Sequence, residues 1–235
     1  MDKIFLLGVG AQRSGTTWFS DSLNSCSTYA KGLQKAYHVF DTEPHRFAVF
    51  GQDVDQYLNY FSSLASSIPS YRIFSDICPS YCTMDTYTLS FLQQELKERG
   101  FHLKVVFLLR DPITRAQSSL YHMINSHSYD KETVKKKLRQ TSDYASTIIA
   151  LDSVLPEEDI LYQFYEEMFD ESFTSKVAKF LEDDSYRPDY TKKLSVSLQS
   201  WEVYPRLGDL SKVYSFVQSR FGRIPTAWKN LKGVF

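Results

Sequence analysis

The chain has 235 residues, 43% of them hydrophobic, with 27 Lys plus Arg against 28 Asp plus Glu and a net charge of -1. That length buries a substantial core, and near-neutrality excludes the overall basic field that drives nonspecific nucleic-acid binding, so any anion site must be local. Three cysteines, Cys26, Cys78 and Cys82, are odd in number and form no CxxC pair, which speaks against a disulfide framework or a structural zinc site.

The first element is "KIFLLGVG" at 3–10, an apolar run that reads as a buried strand of a parallel sheet. The amino terminus carries too few apolar residues for a signal-peptide core, and no later run reaches the roughly 18 needed to cross a membrane. The expectation is a cytoplasmic chain without a membrane span. "GAQRSGTTW" follows at 10–18 and leads into a helix over "TWFSDSLN". The weakly periodic stretch 41–70 holds one helix, around "VDQYLNYFSSLASS".

A second strand, "YRIFSDI" at 71–77, precedes a helix with Leu89, Leu92 and Leu96 on one face and Gly100 as its stop. The third strand, "LKVVFLLR" at 103–110, runs into a helix opened by Asp111 as cap and Pro112 in its first turn. A long polar helix is expected over 131–153, and a fourth strand, "DILYQFY", at 159–165. Two amphipathic helices close the pattern, over "SFTSKVAKFLEDD" and "LGDLSKVYSFVQSRF", the latter with Leu207, Leu210, Val213, Tyr214 and Val217 on one face. Alternating strands and helices predict an α/β fold, a doubly wound parallel sheet with helices on both faces.

Strand, glycine-rich turn and helix is an arrangement in which backbone N–H groups converge on a phosphate. Gly10 and Gly15 have the G-x-x-x-x-G spacing of a nucleotide-binding Walker loop, but Thr16 and Thr17 stand where Lys and Ser/Thr belong. A cation stands within the loop instead, at Arg13, flanked by Gln12 and the hydroxyl of Ser14. This loop resembles that of the sulfotransferase family, which grips the 5′-phosphosulfate of 3′-phosphoadenosine 5′-phosphosulfate (PAPS). The resemblance extends to "RDPITRAQS", where Arg110 and Ser118 have the spacing of the family's 3′-phosphate clamp. Arg115, in the same pattern, is expected to make a structural ion pair, with Asp111 as the partner.

What the resemblance implies is a single domain over 1–235 with a P-loop-like sheet, PAPS as sulfonyl donor, 3′-phosphoadenosine 5′-phosphate (PAP) as product, and no metal. Gly10, Gln12, Arg13, Ser14, Gly15, Thr16, Thr17, Arg110 and Ser118 would hold the donor, with Arg13 also stabilising charge in the transfer. "KAYHVFD" at 35–41 resembles the x-E-x-H-F-F-D segment of glycan-modifying members, which implies a carbohydrate hydroxyl or amine as acceptor. Ala36 occupies the place of the usual glutamate base, leaving His38 as the candidate base, since imidazole titrates near neutrality. Asp41, Glu43 and His122 are runners-up for that task, and Lys35 is a candidate for binding sulfate or acceptor. "SDICPSY" resembles a further family segment that would set Asp76, Ser80 and Tyr81 on the acceptor rim. "YEEMF" at 165–169 reads as mainly architectural. Two other readings remain: a PAP/PAPS-binding protein with little or no turnover, and a P-loop kinase acting on a small molecule.

Overall fold

A computed structural model describes residues 3–41, 48–126, 131–192 and 211–229 of the chain. Strand β1 (Lys3–Gly10) lies at the centre of a five-stranded sheet, with β2 (Tyr29–Ala30), β3 (Ile73–Ile77), β4 (Phe101–Leu109) and β5 (Ile160–Phe164) in the order β2-β3-β1-β4-β5. Every neighbouring pair is parallel.

Both faces of the sheet are covered, and β1 shows why its sequence is apolar without a break from Ile4 onward. Phe5, Leu7 and Val9 pack into one core, and Ile4 and Leu6 into another on the opposite face. A strand projects successive side chains to opposite faces, so a strand buried on both needs an apolar residue at every position. The first core is closed by α2 (Val54–Ser67), α3 (Thr86–Glu98), α6 (Tyr144–Val154) and α8 (Ser211–Phe221) through residues such as Phe61, Leu92, Ile148 and Val217. The second is closed by α1 (Thr16–Ser22) and α7 (Glu171–Leu181) through Phe19, Phe173, Val177 and Leu181. This is a P-loop-like α/β architecture with helices on both faces.

The four expected strands are present, β1 with the expected bounds, β3 and β5 trimmed, and β4 begun earlier at Phe101 and ended at Leu109, while β2, only two residues long, carried no pattern to find. The polar segment 131–153 is not one helix. It divides into α5 (Lys131–Gln140) and α6, because Asp143 caps α6 by accepting a hydrogen bond from the Ser146 N–H at 3.1 Å. An asparagine or aspartate side chain that satisfies an orphan N–H favours a helix start over a helix interior. Asp111 does the same for α4 (Pro112–Ser126), accepting from Thr114 N at 2.8 Å. Leu207 and Leu210 lie outside the described residues, and a short α9 (Thr226–Lys229) follows α8 and buries Trp228. Among the described residues no helix is long and apolar enough to cross a membrane.

Candidate active site

The parallel sheet brings the carboxyl ends of β1 and β4 side by side, so the chain leaving each strand lies over the same edge, where open α/β sheets bind ligands. After β1, the Ala11 N–H donates to Leu108 O at 2.8 Å, fixing the loop to β4. The loop then turns through two left-handed residues, Arg13 at φ 66° and Gly15 at φ 82°. Glycine is required at 15 on a second count: a β-carbon there would lie 3.0 Å from the Tyr165 ring. The loop therefore closes directly against the residue that follows β5.

The two anion-binding motifs meet in space. Arg13 Nε donates to Ser118 Oγ at 3.1 Å across 105 residues of sequence, and Arg110 Nη1 donates to the Arg13 carbonyl at 2.8 Å. The Arg110 guanidinium lies over the Tyr165 ring, 4.7 Å from its centroid. Ser119 Oγ donates to Gln12 Oε1 at 2.6 Å, tying α4 to the loop a second time. Among the described residues no carboxylate comes within ion-pairing distance of Arg13 or Arg110. Burial and then the neighbouring Arg110 charge hold the Arg13 guanidinium below its ordinary pKa. Two cations at one sheet edge, neither in an ion pair among the described residues, make a site for an anion.

Gln12, Arg13, Gly15, Thr16, Thr17 and Arg110 line a cavity of about 550 Å³, whereas Gly10, Ser14 and Ser118 are not among its lining residues. Its wall also includes the aromatic side chains of Trp18, Tyr165, Phe169 and Tyr190. The Trp18 and Tyr190 rings are stacked, their planes 18° from parallel and their centroids 5.8 Å apart. Ser14 is buried, its Oγ without a hydrogen-bond partner among the described residues. Lys35 reaches the loop from the other side, Nζ donating to Thr16 Oγ1 at 3.3 Å. Its own carbonyl accepts from Ile77 N at 2.8 Å, which pins its backbone to the end of β3. Burial pulls the Lys35 ammonium down to about 8, and the nearby Cys78 and Asp76 act in the opposite direction.

Several residues fall elsewhere than expected. His38 is not among the cavity-lining residues: its backbone is left-handed at φ 60°, and its Nδ1 faces Asp41 Oδ2 at 2.9 Å and Cys78 Sγ at 3.3 Å. Asp76 and Tyr81 belong to the core and not to a rim. Asp76 is 0% exposed and accepts from Tyr37 N and the Tyr57 and Tyr81 hydroxyls, while burial raises its carboxyl to about 6. The half-buried Ser80 donates to Asp41 at 2.5 Å. Arg115 makes no ion pair with Asp111. It is fully buried and donates to Gln12 O, Leu138 O and Ser142 Oγ, so it supports the loop from beneath. Asp111 instead accepts from the Tyr214 hydroxyl at 2.6 Å. Tyr165, read from sequence as architectural, forms part of the cavity wall, and His122 also reaches it. Glu43 lies outside the described residues. Arg220 and Arg223, in the basic stretch 219–225, pair with Asp152 and Glu167.

A family model described as a sulfotransferase domain matches residues 2–197. A sulfotransferase from Alicyclobacillus acidocaldarius has a similar structure, with a TM-score of 0.70 at 16% identity over 97% of this chain and 100% of its own. The sulfotransferase domain of the Synechococcus PCC 7002 olefin synthase gives 0.57 at 16% identity over 95% of each chain. The sulfotransferase domain of the curacin biosynthetic pathway gives 0.52 at 15% identity over 80% of this chain and 79% of its own. A comparison with curated proteins gives no match.

Proposed function

The chain belongs to the sulfotransferase family of transferases, and on that premise we propose that it moves the sulfonyl group of PAPS to a hydroxyl or amine of a carbohydrate. The observation that carries the donor assignment is the contact of Arg13 with Ser118, joined to the bond from Arg110 to the Arg13 carbonyl. Two separate anion motifs, one after β1 and one after β4, thereby meet, and the arginine of each lines a single cavity. In this reading Gly10, Gln12, Ser14, Gly15, Thr16 and Thr17 wrap the 5′-phosphosulfate with Arg13. Arg110 and Ser118 take the 3′-phosphate. The adenine lies in the aromatic part of the wall, because a purine gains by stacking on rings such as Trp18.

The transfer is an in-line displacement. A lone pair on the acceptor oxygen or nitrogen forms a bond to sulfur as the bond from sulfur to the phosphate oxygen breaks, and that electron pair leaves on PAP. Arg13 neutralises charge on the departing phosphate, a role that guanidinium fills as a donor of hydrogen bonds and not of protons. The acceptor proton needs a base. We place Lys35 there, since it lines the cavity beside Thr16 and, with a pKa near 8, exists partly as the neutral amine at pH 7–8. His38 lacks that position. The carbohydrate acceptor rests on the likeness of residues 35–41 to the segment of glycan-modifying members.

The test is release of PAP from PAPS with a panel of carbohydrate, phenol and amine acceptors. Acceptor-dependent release that Arg13→Ala removes is the expected result. PAP binding with no turnover on any acceptor would favour the donor-binding protein without activity, for which the alanine at position 36 is the supporting observation. Stabilisation by ATP with Mg²⁺ but not by PAP would overturn the reading in favour of a kinase.

A further inference from the structure

A second polar cluster stands next to the cavity but outside it. His38, Asp41 and Cys78 each offer one ligand atom, and these atoms all lie within 4.8 Å of one another. His38 Nδ1 is 2.9 Å from Asp41 Oδ2 and 3.3 Å from Cys78 Sγ, and Cys78 Sγ is 3.8 Å from Asp41 Oδ1. Ser80 Oγ completes the group, 3.0 Å from Cys78 Sγ and 2.5 Å from Asp41 Oδ1. A ring nitrogen carries at most one hydrogen, yet a carboxylate and a thiol both approach this one atom.

The separations suit a metal ion. Zinc bonds of about 2.0–2.3 Å arranged tetrahedrally put neighbouring ligand atoms roughly 3.3–3.6 Å apart. The distances of 2.9 Å from the ring to Asp41 Oδ2, 3.3 Å from the ring to the thiol and 3.8 Å from the thiol to the other carboxylate oxygen, Oδ1, lie on both sides of that span. A thiolate, an imidazole and one carboxylate select zinc over magnesium or calcium, which take oxygen ligands. His38 also holds a left-handed backbone at φ 60°, a conformation uncommon outside glycine that brings Nδ1 into the group.

We propose that His38 Nδ1, the Asp41 carboxylate and Cys78 Sγ form a zinc site, with Ser80 Oγ beside the fourth position. Cys78 loses its proton as it ligates, so one proton is released for each ion bound and no electron is transferred. The ion would join two segments, 35–41 and 78–80, that supply Lys35 and Pro79 to the cavity wall. Its role is to hold that wall in place and not to act on sulfur. Counting thiols cannot reveal such a site, because its ligands are of three types and lie up to 40 residues apart.

The experiment strips the full chain with a chelator and titrates it with Co²⁺, then with Zn²⁺. One equivalent of cobalt should give a thiolate-to-metal charge-transfer band and the strong visible bands of a four-coordinate ion, both removed by zinc. Cys78→Ser should abolish the charge-transfer band, Cys26→Ser should leave it, and Asp41→Asn should weaken zinc binding at least tenfold. PAP-induced thermal stabilisation of Cys78→Ser shows that this variant is folded. If it is not folded, Asp41→Asn decides alone, and unchanged zinc affinity there overturns the proposal. A six-coordinate cobalt spectrum, a charge-transfer band that survives Cys78→Ser, or no stoichiometric binding does the same. Loss of the PAP response in the unmodified chain would sink the donor reading and leave the metal result standing on its own.

Discussion

Arg110→Ala is the sharpest test of how the donor is held. The side chain has no carboxylate partner among the described residues, lies over Tyr165 and fixes the Arg13 carbonyl, so its charge is available to a ligand. A hydrogen bond to a charged group contributes about 1.5–3 kcal/mol, and the ring contact that orients the guanidinium adds about 0.5–1 kcal/mol. Their sum, about 2–4 kcal/mol, corresponds to a roughly 30- to 700-fold rise in the Kd for PAP. Isothermal titration with PAP and with AMP reads this directly, because AMP lacks the 3′-phosphate. Arg110→Ala should erase most of the preference for PAP over AMP, and Arg110→Lys should restore part of it, keeping the charge without the planar fork. Equal losses for both nucleotides would show that Arg110 acts only through the Arg13 carbonyl, and the assignment to the 3′-phosphate would fail.

Three other outcomes follow from the same geometry. Gly15→Ala combines a left-handed backbone with a β-carbon 3.0 Å from Tyr165, so it should abolish the thermal shift given by PAP while the far-ultraviolet circular dichroism stays native. Lys35, lowered to about 8 in the folded chain, binds fewer protons than in the unfolded chain between pH 8 and its ordinary pKa. Stability should therefore rise with pH across that window in urea titrations, and Lys35→Met should flatten the rise. Arg115→Met leaves the Gln12 carbonyl without its buried partner and should lower the unfolding free energy by about 1–3 kcal/mol in chemical denaturation.

The sheet was legible because burial on both faces leaves a plain mark, the mostly apolar runs at β1, β3, β4 and β5, broken only by single or paired polar residues such as Ser75, Asp76 and Gln163. The meeting of the loop after β1 with Arg110 and Ser118 was legible for a different reason: each motif sits at the end of a strand, and parallel strands must end on the same edge. What escaped was set by the packing of distant segments. Tyr190 comes into the cavity wall only because it stacks on Trp18, and Tyr165 only because the loop glycine leaves room for it. The break before α6 depended on one aspartate outcompeting a helix interior, and β2 is too short to carry a period. Burial of Asp76 was hidden by its charge. Three hydrogen bonds, from Tyr37 N and the hydroxyls of Tyr57 and Tyr81, are what make that position tolerable.

The segment 35–41 explains why the acceptor side was harder to read than the donor side. Tyr37 and Val39 are buried, and Ala36 and Phe40 pack against the same core, so most of the segment serves the fold. Lys35 alone among them reaches the cavity, held by the end of β3, while His38 turns toward Asp41 and Cys78. A glutamate placed at 36 would therefore set a carboxylate against apolar side chains, at a desolvation cost that alanine avoids. On the proposed reading the absent glutamate and the cavity lysine are consistent parts of one arrangement, in which the proton-handling group stands one residue earlier in the chain and the histidine faces Asp41 and Cys78.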